Sequence, residues 1–258
     1  MGNAVDMNQP LAVVTGASSG IGLALARQFA DHGFALVVVA DGDGIHRVAD
    51  ELGAEAVQVD LATPEGVEAL HARLRTRPVT ALALNAGITA RSDDLERELA
   101  LVDLNCRSLV HLARLLTADM AAAGRGRVLI TASIVEAFPG PNQAAYNASK
   151  AFARSFAIAL RHELRERGVS VTVLEPGATD TPIFAKADQE TTLLGGTLPK
   201  DDPADIAAQA FEALMAGRET VVAASLTSKA THLVSRLLPD AVTARLTGIV
   251  AAPRSSRG

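Results

Sequence analysis

The chain has 258 residues, 48% of them hydrophobic, with 24 Lys and Arg against 29 Asp and Glu for a formal charge of −5. A single core of this size buries about 70 to 75% of the unfolded chain's surface, and the interleaving of acids and bases offers no extended phosphate-binding face, which excludes nucleic acid as a partner. The one cysteine, Cys106, rules out an intrachain disulfide, no CxxC, HExxH or His/Cys cluster provides a metal site, and charge interrupts every apolar run before the length of a bilayer span. A soluble protein of a reducing, cytoplasmic compartment is expected.

The N-terminal MGNAVDMNQP carries neither a basic region nor an apolar run and reads as a short disordered lead. After it, apolar runs alternate with helical patterns. Strands are predicted at 11–14, 35–40, 56–60, 81–84, 127–132 and 169–174, and helices at about 21–32, 45–52, 64–75, 94–122 and 144–167. The strand runs lack polar alternation, as strands buried on both faces of a parallel sheet must. This βαβ rhythm predicts an α/β protein with a doubly wound, Rossmann-like parallel sheet. Thr63-Pro64 supplies an N-cap and a first-turn proline, and Gly33 and Gly168 stop two helices. No linker divides the chain, so residues 1–258 are expected to be one domain.

The turn after the first strand reads TGASSGIG (15–22), with Gly16, Ser18, Ser19, Gly20, Ile21 and Gly22 leading into a helix. Glycines there let the backbone approach a pyrophosphate, and the helix N-terminus supplies N–H groups to it. A plain tight turn is the competing reading, weakened by the position between strand and helix. Asp41 follows the second strand, 25 residues beyond Gly16, where a carboxylate accepts from the ribose hydroxyls of NAD and repels the extra phosphate of NADP. Asp43 adds charge and no Lys or Arg appears in this turn before Arg47, so NAD is expected in preference to NADP. A turn or cap acid remains open for Asp41.

Asn105 interrupts the leucines of the 94–122 helix and must satisfy its amide, structurally or in catalysis. Ser133 ends the fifth strand, at the carboxyl edge where such sheets bind ligands; an ordinary loop serine is the alternative. Thirteen residues later, AAYNASK (144–150) holds the only tyrosine, Tyr146, with Lys150 one helical turn on and on the same face. A tyrosine is a poor base at neutral pH, and lowering its pKa by about 3 units takes roughly 4 kcal/mol, within reach of one ammonium at about 4 Å.

Beyond the sixth strand, 176–203 is too long for an ordinary connection and is expected to hold a substrate lid at about 183–202. A helix (203–216), a strand (220–224) and an amphipathic helical extension (228–250) complete the pattern, the last covering the core or a partner subunit. Val135, Phe138 and the lid's Phe184 are expected to line a substrate pocket for a small molecule with an apolar body; packing of the lid against the core is equally open.

These motifs, in order from Leu11 to Thr181, make the chain resemble the short-chain dehydrogenase/reductases of about 250 residues: TGASSGIG, Asp60-Leu61, NAG at 85–87, Asn105, Ser133, YNASK and PGATDT at 176–181. The resemblance implies that Tyr146 is the acid/base, that Lys150 lowers its pKa and bonds the nicotinamide ribose, that Ser133 orients substrate, and that Asn105 holds a relay water. It also implies a cofactor bed of Asp60, Leu61, Asn85, Ala86, Gly87, Pro176, Gly177, Thr179 and Thr181 beside the glycine turn. Leu84 stands where the family usually has a first Asn, and is expected to alter adenosine packing slightly; Glu175 precedes the Pro-Gly pair without touching a catalytic role. Implied too are a homodimer or homotetramer and hydride exchange between NAD(H) and a secondary alcohol or ketone. A non-redox lyase or isomerase using the same tyrosine, and a dinucleotide sensor without turnover, are the rival readings.

Overall fold

The computed structural model describes residues 9–90, 93–137, 139–180, 200–224 and 242–245. Seven strands pair in parallel in the order β3-β2-β1-β4-β5-β6-β7. They are β1 (Leu11–Thr15), β2 (Ala35–Ala40), β3 (Glu55–Gln58), β4 (Val79–Leu84), β5 (Gly126–Thr131), β6 (Val169–Pro176) and β7 (Thr220–Ala223). The helices are α1 (Gly20–Asp31), α2 (Gly44–Leu52), α3 (Pro64–Leu74), α4 (Leu95–Val102), α5 (Leu109–Ala122), α6 (Ala144–Leu164) and α7 (Pro203–Met215).

Each strand feeds two cores. Leu11 and Val13 of β1 and Val37 and Val39 of β2 join the helices α3, α5 and α6 on one face. Their neighbours Ala12, Val14, Leu36 and Val38 join α1, α2 and α7 on the other. Continuous apolar runs are therefore what this sheet requires, and they fell where predicted. Winding proceeds from β1 toward β3 on one side and from β4 toward β7 on the other. The reversal between β1 and β4 opens a crevice at the strands' carboxyl ends, the site at which such sheets take ligands.

Among the differences from the sequence reading, three have a plain local reason. β3 ends at Gln58 rather than 60 because Asp60 begins a turn: its Oδ1 accepts from Ala62 N at 2.8 Å and its carbonyl accepts from the Thr63 hydroxyl at 2.8 Å. Thr63 then caps α3, accepting from Gly66 N at 3.1 Å, with Pro64 in the first turn. The single helix expected over 94–122 is instead α4, a π-helical turn over Asp103–Ser108, and α5. Finally, α6 passes into a 3-10 turn over Arg165–Arg167 before Gly168 stops it at φ 73°.

Of the expected lid, only residues 200–202 are described, and of the C-terminal extension only 242–245, which are helical. Thr179 and Asp201 form a parallel bridge, with Asp201 N donating to Ala178 O at 2.7 Å and Asp180 N to Asp201 O at 3.0 Å. No helix among the described residues is long and apolar enough to cross a membrane.

Candidate active site

The crevice is a cleft of about 330 Å³ that gathers most of the residues singled out from the sequence. Gly16, Ser18, Ser19, Gly20 and Ile21 form its floor at the start of α1. Asp41, Asp60 and Leu61 stand at one end, beyond β2 and β3. Asn85, Ala86 and Gly87 lie in the middle, after β4, and Ser133, Val135, Tyr146, Lys150, Pro176, Gly177 and Thr179 close the far end. Gly22 and Asn105 sit beneath the cleft rather than in its lining. Phe138, Thr181 and Phe184 lie outside the described residues.

The glycine turn is shaped for an anion. A side chain at Gly16 would put its Cβ 2.9 Å from the Ala86 Cα, at φ 66°. One at Gly22 would collide with the Gly16 carbonyl and come within 2.7 Å of Asn85 Nδ2. Close packing of the turn on the β4 loop thus excludes larger residues. Ser19, the N-cap, is extended and makes no side-chain cap, and no acid occupies the first turn of α1. The N–H groups there, which have no intrahelical acceptors, and the positive dipole end suit a pyrophosphate.

At the adenosine end Asp41 is exposed on the rim. Gln58 braces this turn, donating to Asp41 O at 3.1 Å and to Asp43 Oδ1 at 2.7 Å. Arg47 reaches Glu51 at 3.8 Å. Leu84 packs into the core on the α3 and α5 face.

Hydrogen bonds that the sequence reading did not anticipate lace the rim together. The Thr15 hydroxyl accepts from the N–H groups of Asn85 and Ala86, both at 3.0 Å, and donates to Ala83 O at 3.3 Å. Thr131 Oγ1 donates to Asn85 Oδ1 at 3.1 Å, and Lys150 Nζ donates to Thr131 O at 3.1 Å. The signal for Thr15 and Thr131 was their place as last residues of apolar strands.

Asn105 explains the π-helical turn. Its Oδ1 accepts from Ile88 N at 3.0 Å, and its Nδ2 donates to Ile88 O at 2.9 Å and to Ser149 Oγ at 3.1 Å. Reaching the β4 loop and α6 at once requires the extra residue of a π turn, a device found at functional sites. Both amide hydrogens are spent, so any water Asn105 held would have to donate to the second lone pair of Oδ1. Ser149, overlooked within YNASK, donates in turn to Tyr146 O at 2.7 Å. A second pocket of about 20 Å³, room for one water, lies beneath the cleft, with Asn105, Lys150, Thr15, Ser108 and Thr131 in its lining.

Tyr146 and Lys150 project side by side from α6, 8% and 6% exposed, with Nζ 5.7 Å from the ring centroid. Burial pushes the Tyr146 phenol up to about 12, opposed by a hydrogen bond with Ser133. Burial also lowers Lys150 to about 8, opposed by Cys106. The expected depression of Tyr146 by Lys150 is therefore not what the protein groups alone produce. Desolvation outweighs an ammonium that faces the Thr131 carbonyl. The Cys106 thiol is itself raised by burial, with Lys150 opposing.

A doubly wound sheet with this crevice defines a Rossmann-type nucleotide-binding domain. The chain belongs to the short-chain dehydrogenases: the family model described as "short chain dehydrogenase" matches residues 10–192. Oxidoreductase chemistry with a nicotinamide dinucleotide is typical of that family. The chain is 37% identical over 222 residues to 1-deoxy-11-beta-hydroxypentalenate dehydrogenase of Streptomyces exfoliatus, the match covering 80% of each chain. It resembles a short-chain dehydrogenase from Sphingobium yanoikuyae in complex with NADPH, at TM-score 0.77 and 27% identity, over 96% of this chain and 98% of that one. It also resembles 3-ketoacyl-(acyl-carrier-protein) reductase from Brucella melitensis complexed with NADH, at TM-score 0.75 and 29% identity, over 86% and 100% of the two chains. Among the described residues no group of His, Cys, Asp and Glu could hold a metal ion.

Proposed function

We propose that the protein interconverts a secondary alcohol and its ketone with NAD(H), Tyr146 moving the proton. The observation that carries this reading is the meeting of Ser133, Tyr146 and Lys150 at one end of a cleft whose floor is the glycine turn. The bound dinucleotide would supply or accept the hydride at the carbinol carbon. Tyr146, a neutral phenol at pH 7 with its pKa near 12, donates its proton to the developing alkoxide in reduction. In oxidation Tyr146 must first give up its own proton, and as phenolate, stabilised by the Lys150 ammonium beside it, it takes the hydroxyl proton while the hydride goes to the bound dinucleotide. Ser133 orients the substrate oxygen toward the phenol. Lys150 lies between Tyr146 and the small pocket that Asn105 also lines, a route by which one water could replenish the proton. Replacing Tyr146 with Phe removes the proton carrier alone; we expect turnover to fall by about 10²- to 10⁴-fold with NADH affinity unchanged. A variant as fast as wild type would sink the mechanism.

NAD is the preferred dinucleotide, because the Asp41 carboxylate would accept from the ribose hydroxyls, and among the described residues lining the cleft no Lys or Arg stands at that end to answer a 2′-phosphate. Fluorescence titration with NADH and NADPH tests this, and tighter binding of NADPH would reverse it. Ile88, Ile134 and Val135 give the far end apolar walls, which suit a substrate with an apolar body. Leu95 and Leu99 on α4, 69% and 57% exposed, and Phe152 on α6, stacked on Phe156 at 6.2 Å, support assembly into a homodimer or homotetramer through these helices. Light scattering at the monomer mass would refute it. A cytoplasmic site of action fits the single cysteine.

A further inference from the structure

The turn after β2 departs from its own local rule. Asp43 is the N-cap of α2, yet its side chain makes no cap bond to the helix, although a carboxylate at that position ordinarily accepts from the N–H groups of the first turn. It accepts instead from Gln58 Nε2, at 2.7 Å, on the neighbouring strand β3. The glycines on either side of it, Gly42 and Gly44, have open space around them and neither is at positive φ. Crowding and strain therefore do not fix the shape of this turn, and its two glycines leave it ample freedom.

Gln58 supplies the missing restraint. It is the last residue of β3, opposite Ala40 at the end of β2, with Val57 turned to the core and Gln58 to the surface. Its amide has two N–H hydrogens and one carbonyl, and every part is engaged. Nε2 donates to Asp41 O at 3.1 Å and to Asp43 Oδ1 at 2.7 Å, while Oε1 accepts from His46 Nε2 at 3.1 Å. A flipped amide would set its oxygen against the Asp41 carbonyl and the Asp43 carboxylate, so the three partners together select one orientation. The Asp41 carboxylate, by contrast, has no hydrogen-bond or ion-pair partner among the described residues and is exposed on the rim of the cleft. Its backbone is held and its side chain is left available.

We propose that Gln58 is a positioning residue for cofactor choice. By clasping the Asp41 carbonyl and the Asp43 carboxylate, it holds the Asp41 carboxylate where it accepts from the adenosine ribose, and so sets the preference for NAD over NADP. This deepens the reading of Asp41 given above and rests on it. Gln58 is not among the described residues that line the cleft, so it acts through Asp41 rather than by touching the dinucleotide. Loosening the turn loses the contact that ribose hydroxyls make and a 2′-phosphate, which has no hydrogen to donate there, does not.

Fluorescence titration with NADH and with NADPH, of Gln58→Leu made in wild type and in Asp41→Ser, tests this. In wild type the substitution is expected to weaken NADH about fivefold, the contribution of one net hydrogen bond, and to leave NADPH within about twofold. In Asp41→Ser it is expected to leave the NADPH-to-NADH ratio unchanged, because a residue that acts through Asp41 then has nothing to position. Equal weakening of both dinucleotides in wild type would make Gln58 a plain structural brace and overturn the proposal, as would no weakening of either. A shift of the ratio as large in Asp41→Ser as in wild type overturns it too, since Gln58 would then act independently of Asp41. A wild type that prefers NADPH, or an Asp41→Ser ratio that does not move, sinks the reading of Asp41 and this proposal with it. A clear NADH preference that Gln58→Leu leaves intact sinks this proposal alone.

Discussion

Replacing Lys150 with Met should stabilise the protein at neutral pH while abolishing turnover. Burial lowers this ammonium from 10.5 to about 8, and at 1.36 kcal/mol per unit that is about 3 kcal/mol of desolvation borne by the folded state. Below pH 8 folded and unfolded chains both carry the charge, so the penalty is complete. Between 8 and 10.5 the unfolded chain holds the proton and the folded one does not, so wild-type stability rises with pH, and above 10.5 the penalty is gone. Met removes that slope and fills the same volume, at the expense of the bond to Thr131 O, worth about 1 kcal/mol. The expected gain at pH 7 is therefore about 2 kcal/mol, shrinking to nothing and reversing as pH climbs past 9. Tyr146 acts oppositely: its raised pKa, about 12, makes stability fall above pH 10, but wild type and variant share that loss, so their difference isolates Lys150. Urea denaturation of both proteins at several pH values between 7 and 10 measures it. A difference that does not change with pH would refute the reasoning, since it would mean that Lys150 keeps an ordinary pKa.

Glu175 is fully buried and accepts from Arg154 Nε at 2.8 Å, while the Arg154 side chain is 24% exposed. Glu175→Gln should lower stability by about 3 kcal/mol, the smaller end of the range for breaking a buried pair because the arginine can reach water; a loss under about 1 kcal/mol in urea unfolding would contradict it. Gly22→Ala, whose Cβ meets the Gly16 carbonyl, should weaken NADH binding more than tenfold, about 1.4 kcal/mol. Gly33→Ala, with open space around it but φ 75°, should cost about 1 kcal/mol of stability and leave NADH affinity alone. Equal NADH affinities in the two variants would show that the turn is not shaped by contact. Asp41→Ser should shift the NADPH-to-NADH dissociation-constant ratio about tenfold toward NADPH, and an unshifted ratio would remove Asp41 from cofactor choice.

The parts of this fold that were legible from sequence are those in which one residue type answers one physical demand. Both faces of β1 and β2 are covered, so their residues had to be apolar throughout; Pro64 and Gly168 sit where a helix can begin or must end. The π-helical turn was not legible, because it arises from where the Asn105 amide finds partners, on Ile88 and Ser149, far away in sequence. For the same reason Asn105 could be recognised as a residue needing satisfaction but not as one whose amide hydrogens are both taken. The neutral Tyr146 also escaped: spacing shows that Lys150 is near, while the desolvation that dominates both groups depends on everything packed around α6.

The side-chain links from Thr15 to Asn85, Asn85 to Thr131 and Thr131 to Lys150 join three strand ends and a helix into one continuous rim. A rim so tied has few conformations to surrender. The association entropy of the dinucleotide must then be lost mainly by the dinucleotide's own rotatable bonds, and little by the walls that receive it. Affinity in such a slot is set by shape that folding has already fixed, which leaves the ordering that accompanies binding to be chosen by the substrate.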